Sequence, residues 1–117
     1  MMTFESIKTI RDLVTEAGKA YENRVYLRTL RNNMIHDTTF GQFSLECNAI
    51  AAWTAEQSKN LGHQARVAMI SSNSALYVRM MLGVMVGGGT TVFLDPQATE
   101  DVICACLNKA EADILIW

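Results

Sequence analysis

Three stretches of this 117-residue chain place chemically capable groups close together. Cys104-Ala105-Cys106 offers two thiols, Ser71-Ser72-Asn73-Ser74 offers hydroxyls and an amide, and Gly87-Gly88-Gly89 offers bare backbone. Two thiols can clamp a soft metal, but these lie in a helical pattern. Residues two apart on a helix point in different directions. With Cys47 well separated, all three cysteines read as small buried hydrophobes. His36 and His63 are far apart, without Cys, Asp or Glu at ligand spacing. Both read as surface or turn residues, and neither completes a Ser/His/Asp or Cys/His arrangement.

A phosphate cradle follows a strand and opens a helix, so that its amide donors point at the anion. The glycine triplet has the opposite polarity, after a helix and before a strand. It reads as a helix stop with a close backbone approach, and Gly88 is expected to need its missing side chain through positive φ or tight packing. Ser71–Ser74 does follow a strand and open a helix. It could hold an anion, but it lacks glycine and lysine and reads first as a helix cap. The 12 acidic residues show no paired arrangement for acid–base work. No catalytic, cofactor-binding or metal-binding residue is assigned.

Composition sets the bounds. Half the residues are hydrophobic and 19% are charged, which suits a globular core rather than disorder. The length suits one domain, residues 1–117 as a single segment. A net charge of −2 argues against nucleic acid or an anionic membrane as partner. The densest basic group, Arg24, Arg28 and Arg31, reads as a solvated face. An odd cysteine count without a secretory signal suits a reducing cytoplasm. Ala75 to Leu94 is apolar apart from Arg79, but the glycine triplet would interrupt any helix there. What remains is about twelve residues, too short for a membrane span of roughly twenty.

The elements that would carry these residues fall in order. Thr9-Ile10-Arg11-Asp12 resembles a helix start, followed by an apolar face of Ile10, Leu13, Val14, Ala17 and Tyr21. Gly18 and Asn23 mark its end. Val25–Leu30 and Met34–Phe40 read as strands of a hairpin joined through Arg31-Asn32-Asn33, since asparagine tolerates positive φ. Thr39 and Gln42 form a second capping box, and the helix after it carries Phe43, Cys47, Ile50, Ala51, Thr54 and Leu61 inward, with Gly62 as its stop.

The remaining half reads strand–helix–strand–helix–strand. The strands are Arg66–Ser71, Thr90–Leu94 and Asp113–Trp117. The first helix, from about Leu76 to Met85, is apolar all round and expected to be buried. The second is capped by Thr99, with Val102, Ile103, Cys106, Leu107 and Ala110 inward. The fold class is α/β: an N-terminal helix and β-hairpin followed by a βαβαβ parallel-sheet unit. The last strand is an apolar run suited to burial on both faces. It is expected to be an interior strand of something larger, which in this chain seeks a partner.

Four pieces, in order, resemble one family. Thr39-Phe40-Gly41-Gln42-Phe43 is similar to the "TYxEL" opening of the adenylate-forming enzymes, the AMP-dependent acyl-CoA synthetases and their relatives. Arg66 to Ile70 with Asn73 resembles their "rVAiixxNs" strand and cap, with Tyr77 where many members carry tryptophan. Val84 to Pro96 resembles "vlxxGgvvvPLdP", and Gln97 to Trp117 resembles "lpaeelaxilnxaeakvli". The likeness runs from about Thr9 onward and is nearest to the long-chain fatty-acid–CoA ligase branch. Gln64-Ala65 replaces the usual Gly-Asp, and Phe93 replaces the usual proline.

The resemblance implies a parent reaction in two steps. A carboxylate attacks ATP to give an acyl-adenylate and pyrophosphate, and the thiol of coenzyme A then displaces AMP. It implies ATP, magnesium and coenzyme A as the parent's cofactors. The family's phosphate loop, adenine motif, ribose-binding aspartate and lid lysine lie downstream of the region matched, so no catalytic residue carries over. The implied role is a non-catalytic N-terminal scaffold, partnered by the remainder of the synthetase or another copy of the chain. Two rivals stand: a free-standing α/β module that self-associates through its terminal strand, and a flavodoxin-like nucleotide enzyme. The second lacks a phosphate loop after a strand.

Overall fold

Thr9 and Thr39 each end an extended segment and begin a helix. In the computed structural model, which describes residues 2–117, both hydroxyls accept the amide three residues on, and the side chains of Asp12 and Gln42 reach back. These two capping boxes start α1 (Ile10–Ala20) and α2 (Phe40–Leu61). A short 3₁₀ turn, Phe4–Ser6, precedes α1. Gly62 ends α2 in the left-handed region at φ 77°. Between the helices lies a hairpin, β1 (Val25–Arg31) and β2 (Met34–Thr39), closed by Asn32 and Asn33 at φ 52° and 60°. Two positive φ values match the right-handed twist of the flanking strands.

The parallel unit follows as β3 (Arg66–Ile70), α3 (Ala75–Val86), β4 (Thr90–Leu94), α4 (Glu100–Ala110) and β5 (Ile114–Ile116). Both pairings are parallel and the strand order is β4-β3-β5. The central strand β3 is the most buried, with Val67, Ala68 and Met69 all enclosed. Val67 and Met69 join Ala65 and Val84 in one core cluster, on which Ile50, Trp53, Met80, Ile114 and Ile116 pack. Val14, Phe43, Cys47 and Val86 form a second cluster beneath α1. The two clusters meet along α2 and α3.

Several faces are more open than their periodicity predicts. In α3 only Gly83, Val84 and Val86 are buried, and Leu76 is 62% exposed. Tyr77 and Val78 beside it are half-buried against the two core clusters. Leu61 lies in the last turn of α2, past the surface that the helix covers, and is exposed. On α4 no residue is buried: Ile103, Leu107 and Ala110 are half-buried, while Val102 and Cys106 face solvent. Cys104 is exposed as well, so of the three cysteines only Cys47 is the buried hydrophobe expected.

Candidate functional site

Strand β5 places an apolar surface at one edge of the sheet. It pairs with β3 on one side, and no described residue pairs with its other side. Ile114 and Ile116 point toward the α2–α3 face with Val67 and Met69. A groove of about 330 Å³ runs beside them, lined by Ala49, Ile50, Trp53, Met80 and Ile116. Met80 and Ile116 also line a second hollow of about 130 Å³ that reaches Leu76 and Trp117. Trp117 is 89% exposed. A contiguous apolar surface beside unpaired backbone marks a place where another chain segment packs.

The start of β5 is fixed by a polar clasp. The Asp113 carboxylate accepts the Arg66 amide at 2.9 Å and meets His63 Nε2 at 3.0 Å, while the Asp113 amide donates to the Arg66 carbonyl at 2.9 Å. Arg66 also pairs with Glu111 at 3.2 Å. The Arg66 amide, and after it His63, hold the Asp113 carboxyl below the usual carboxylate range. His63 is a surface loop residue, as expected, but its partner lies 50 residues on. No local spacing signals that contact. His36 is exposed on β2.

The stretches singled out for chemistry are committed to structure. Ser74 Oγ accepts the Tyr77 amide at 3.1 Å and caps α3, while the Ser71 hydroxyl donates to the Ser72 carbonyl. Around the triplet, the amides of Gly87, Gly88 and Gly89 donate to Gly83, Met85 and Val84 carbonyls, so none is free to cradle an anion. Gly88 has φ +81° with open space where a Cβ would stand. At Gly87 a Cβ would meet the Ala51 carbonyl oxygen at 2.5 Å. Of the two reasons expected at Gly88, conformation applies there and tight packing belongs to its neighbours. Arg11 caps the same turn, donating from Nε and Nη2 to the Val86 carbonyl at 3.1 and 2.8 Å.

Arg24, Arg28 and Arg31 are all exposed, the solvated face expected of them. Arg28 pairs with Asp37 across the hairpin at 2.7 Å, and Arg24 lies over the Tyr21 ring. Arg79 bridges elements: Nη2 donates to the Thr38 hydroxyl, and Nε lies against Glu46. These residues do not fit a bound nucleotide. The Ser71–Ser74 loop has its Ser74 hydroxyl spent on a cap and brings no lysine to a phosphate. Among the described residues no three His, Cys, Asp or Glu side chains gather as metal ligands, and no helix is long and apolar enough to cross a membrane.

A family model described as AMP-binding enzyme matches residues 14–117. No curated protein matches the chain. Among solved structures, the N-terminal subdomain of NpsA from Klebsiella oxytoca is similar, with a TM-score of 0.77 at 25% identity over 94% of this chain and 27% of that one. NpsA in complex with 3-hydroxyanthranilyl-AMSN gives 0.75 at 25% identity, over 93% and 21%. The fatty acyl-adenylate ligase of L. pneumophila, solved with acyl adenylate and pyrophosphate, gives 0.79 at 19% identity over 98% and 21%, a likeness of fold alone. The chain spans between about a fifth and about a quarter of the length of these structures.

Proposed function

The chain belongs to the AMP-binding enzyme family, and from that premise we propose that it serves an acyl-CoA-synthetase-like ligase as its N-terminal scaffold. The observation that carries this reading is the open edge of β5 with the apolar groove beside it. A strand built from Ile114, Leu115 and Ile116 suits the interior of a sheet, and its outer hydrogen-bonding groups call for a further strand. The scaffold's contribution is mechanical. Its backbone clasp at Asp113 sets the height and register of β5, and β5 in turn sets those of whatever strand joins it.

The chemistry belongs to the whole enzyme. In this proposal a carboxylic acid, with a fatty acid as the favoured class, reacts with ATP and magnesium to give an acyl-adenylate and pyrophosphate. Coenzyme A then takes the acyl group. The residues of this chain derive no step of that reaction. A cytoplasmic setting is part of the proposal, and two exposed free thiols suit a reducing compartment.

The test is to express the product of the whole reading frame and follow pyrophosphate with ATP, magnesium and a panel of acids. Acid-dependent release, then AMP release on adding coenzyme A, is the expected result. Residues 1–117 alone should give no turnover above a heat-killed control. Sustained turnover by residues 1–117 would overturn the scaffold role. A reading frame that stops after Trp117 favours the free-standing module, for which the exposed β5 edge is the supporting observation.

A further inference from the structure

Beneath α1 the packing is incomplete. The length of α1, the hairpin, the start of α2 and the second half of α3 border a partly open apolar crevice of about 190 Å³, which Met2 also lines. Leu13 and Ala17 form its roof, Tyr26, Phe40 and Phe43 its walls, and Leu82 part of its floor. No charged side chain lines it. The rings are packed against one another, Tyr26 to Phe40 at 4.8 Å and Tyr26 to Phe43 at 4.4 Å between centroids, so they cannot simply fold inward to fill the space. Burial pushes the Tyr26 phenol above its ordinary value, with Cys47 adding to the effect, so this wall stays neutral at physiological pH.

Size and chemistry restrict the occupant. An engineered apolar cavity of about 150 Å³ stays dry and accepts benzene or xenon. A slightly larger crevice with aromatic walls suits a single ring with a short alkyl substituent. Water has too few polar partners there. A charged ligand would lose its hydration without gaining a counter-ion. Leu13, 38% exposed, stands at the outer side of the crevice. We infer that this crevice is a binding site for one small neutral apolar molecule of toluene size, independent of the ligase reading and of the β5 surface.

The test uses residues 1–117 and toluene as probe. Methyl NMR should show saturable shifts confined to Leu13, Val14 and Leu82, and the melting temperature should rise with toluene concentration. Ala17→Leu places a larger side chain in the roof and should weaken the saturable shifts at least about tenfold while the spectrum stays dispersed. Should that variant fail to fold, Leu82→Val enlarges the floor and should shift preference from toluene toward propylbenzene. Linear, unsaturable shifts spread over Leu76, Leu61 and other exposed apolar residues would overturn the site. So would saturable binding that neither substitution alters.

Discussion

At the scale of single residues, the glycine turn and the cysteines separate conformation from contact. Gly88 stands at φ +81° in open space, so a side chain there meets strain and nothing else. Gly87 has an ordinary φ, but a Cβ would press on the Ala51 carbonyl oxygen at 2.5 Å and Cα at 2.8 Å. Backbone cannot give way as a flexible side chain can. Gly88→Ala should cost about 1 kcal/mol through left-handed strain. Gly87→Ala should cost about 3 kcal/mol through overpacking of α2 against α3. Urea midpoints at unchanged slope decide this; a larger loss at Gly88 would reverse the assignment. The thiols sort in the same way. Burial, then the Glu46 charge, pushes Cys47 up to about 11, while Cys104 and Cys106 are exposed on α4. The thiolate is the reactive form. Iodoacetamide at mildly alkaline pH should therefore modify two sites quickly and the third only on unfolding. Equal rates at all three would refute the placement of Cys47.

At the scale of elements, the clasp that seats β5 titrates. Asp113 has a folded pKa below its ordinary value, so in the folded state it holds its proton less tightly than in the unfolded chain. The stability it contributes is present above the unfolded pKa and is lost as pH falls through the depressed folded one. Asp113→Asn keeps an acceptor near the Arg66 amide but removes the charge facing His63. The variant should be less stable than the parent near neutrality, and the gap should close as pH drops below the usual aspartate range. A gap independent of pH would mean that the carboxylate acts only through its shape. The clasp also shows where sequence reading ends. Thr9 with Asp12 and Thr39 with Gln42 are legible because a capping box is complete within four residues, and the Asn32-Asn33 turn is legible for the same reason. The βαβαβ order follows from alternating strand and helix patterns. His63 and Asp113 meet only because β5 lies beside β3. Likewise Val102 and Cys106 sit on a plausible inner face of α4, yet a helical period says nothing of how far the sheet beneath extends. The candidate surface was visible as an apolar terminal strand; the groove beside it was not, because Trp53, Met80 and Ile116 come from three separate elements.

At the scale of the whole molecule, large exposed apolar residues lie both on the hairpin, at Leu30, Met34 and Ile35, and around the parallel sheet, but only around the sheet do they adjoin an open strand edge made of apolar residues. Phe93 is on β4 at one edge of the sheet, while Trp117 and Leu76 lie at the opposite edge by β5, whose outer side offers unpaired backbone. A polypeptide of residues 1–117 in water therefore has a strong reason to pair at that edge. Two copies meeting β5 to β5 would restore hydrogen bonds and cover both Trp117 rings. The opposing tendency is fraying, since β5 is only three residues long and terminal segments are held weakly. The Asp113 clasp and the packing of Ile114 and Ile116 against the core tip the balance toward an ordered, pairing strand. Light scattering across a concentration series should show association of residues 1–117, and removal of residues 113–117 should abolish it. In a Trp53→Phe background, Trp117 emission should move to shorter wavelength as concentration rises. Trp117→Lys should keep the chain folded and monomeric, because a charge at an edge strand opposes its own copy. A monodisperse monomer at high concentration, with Trp117 emission typical of water, would show that the edge stays unpaired and would leave the groove beside Ile116 without a role in self-association.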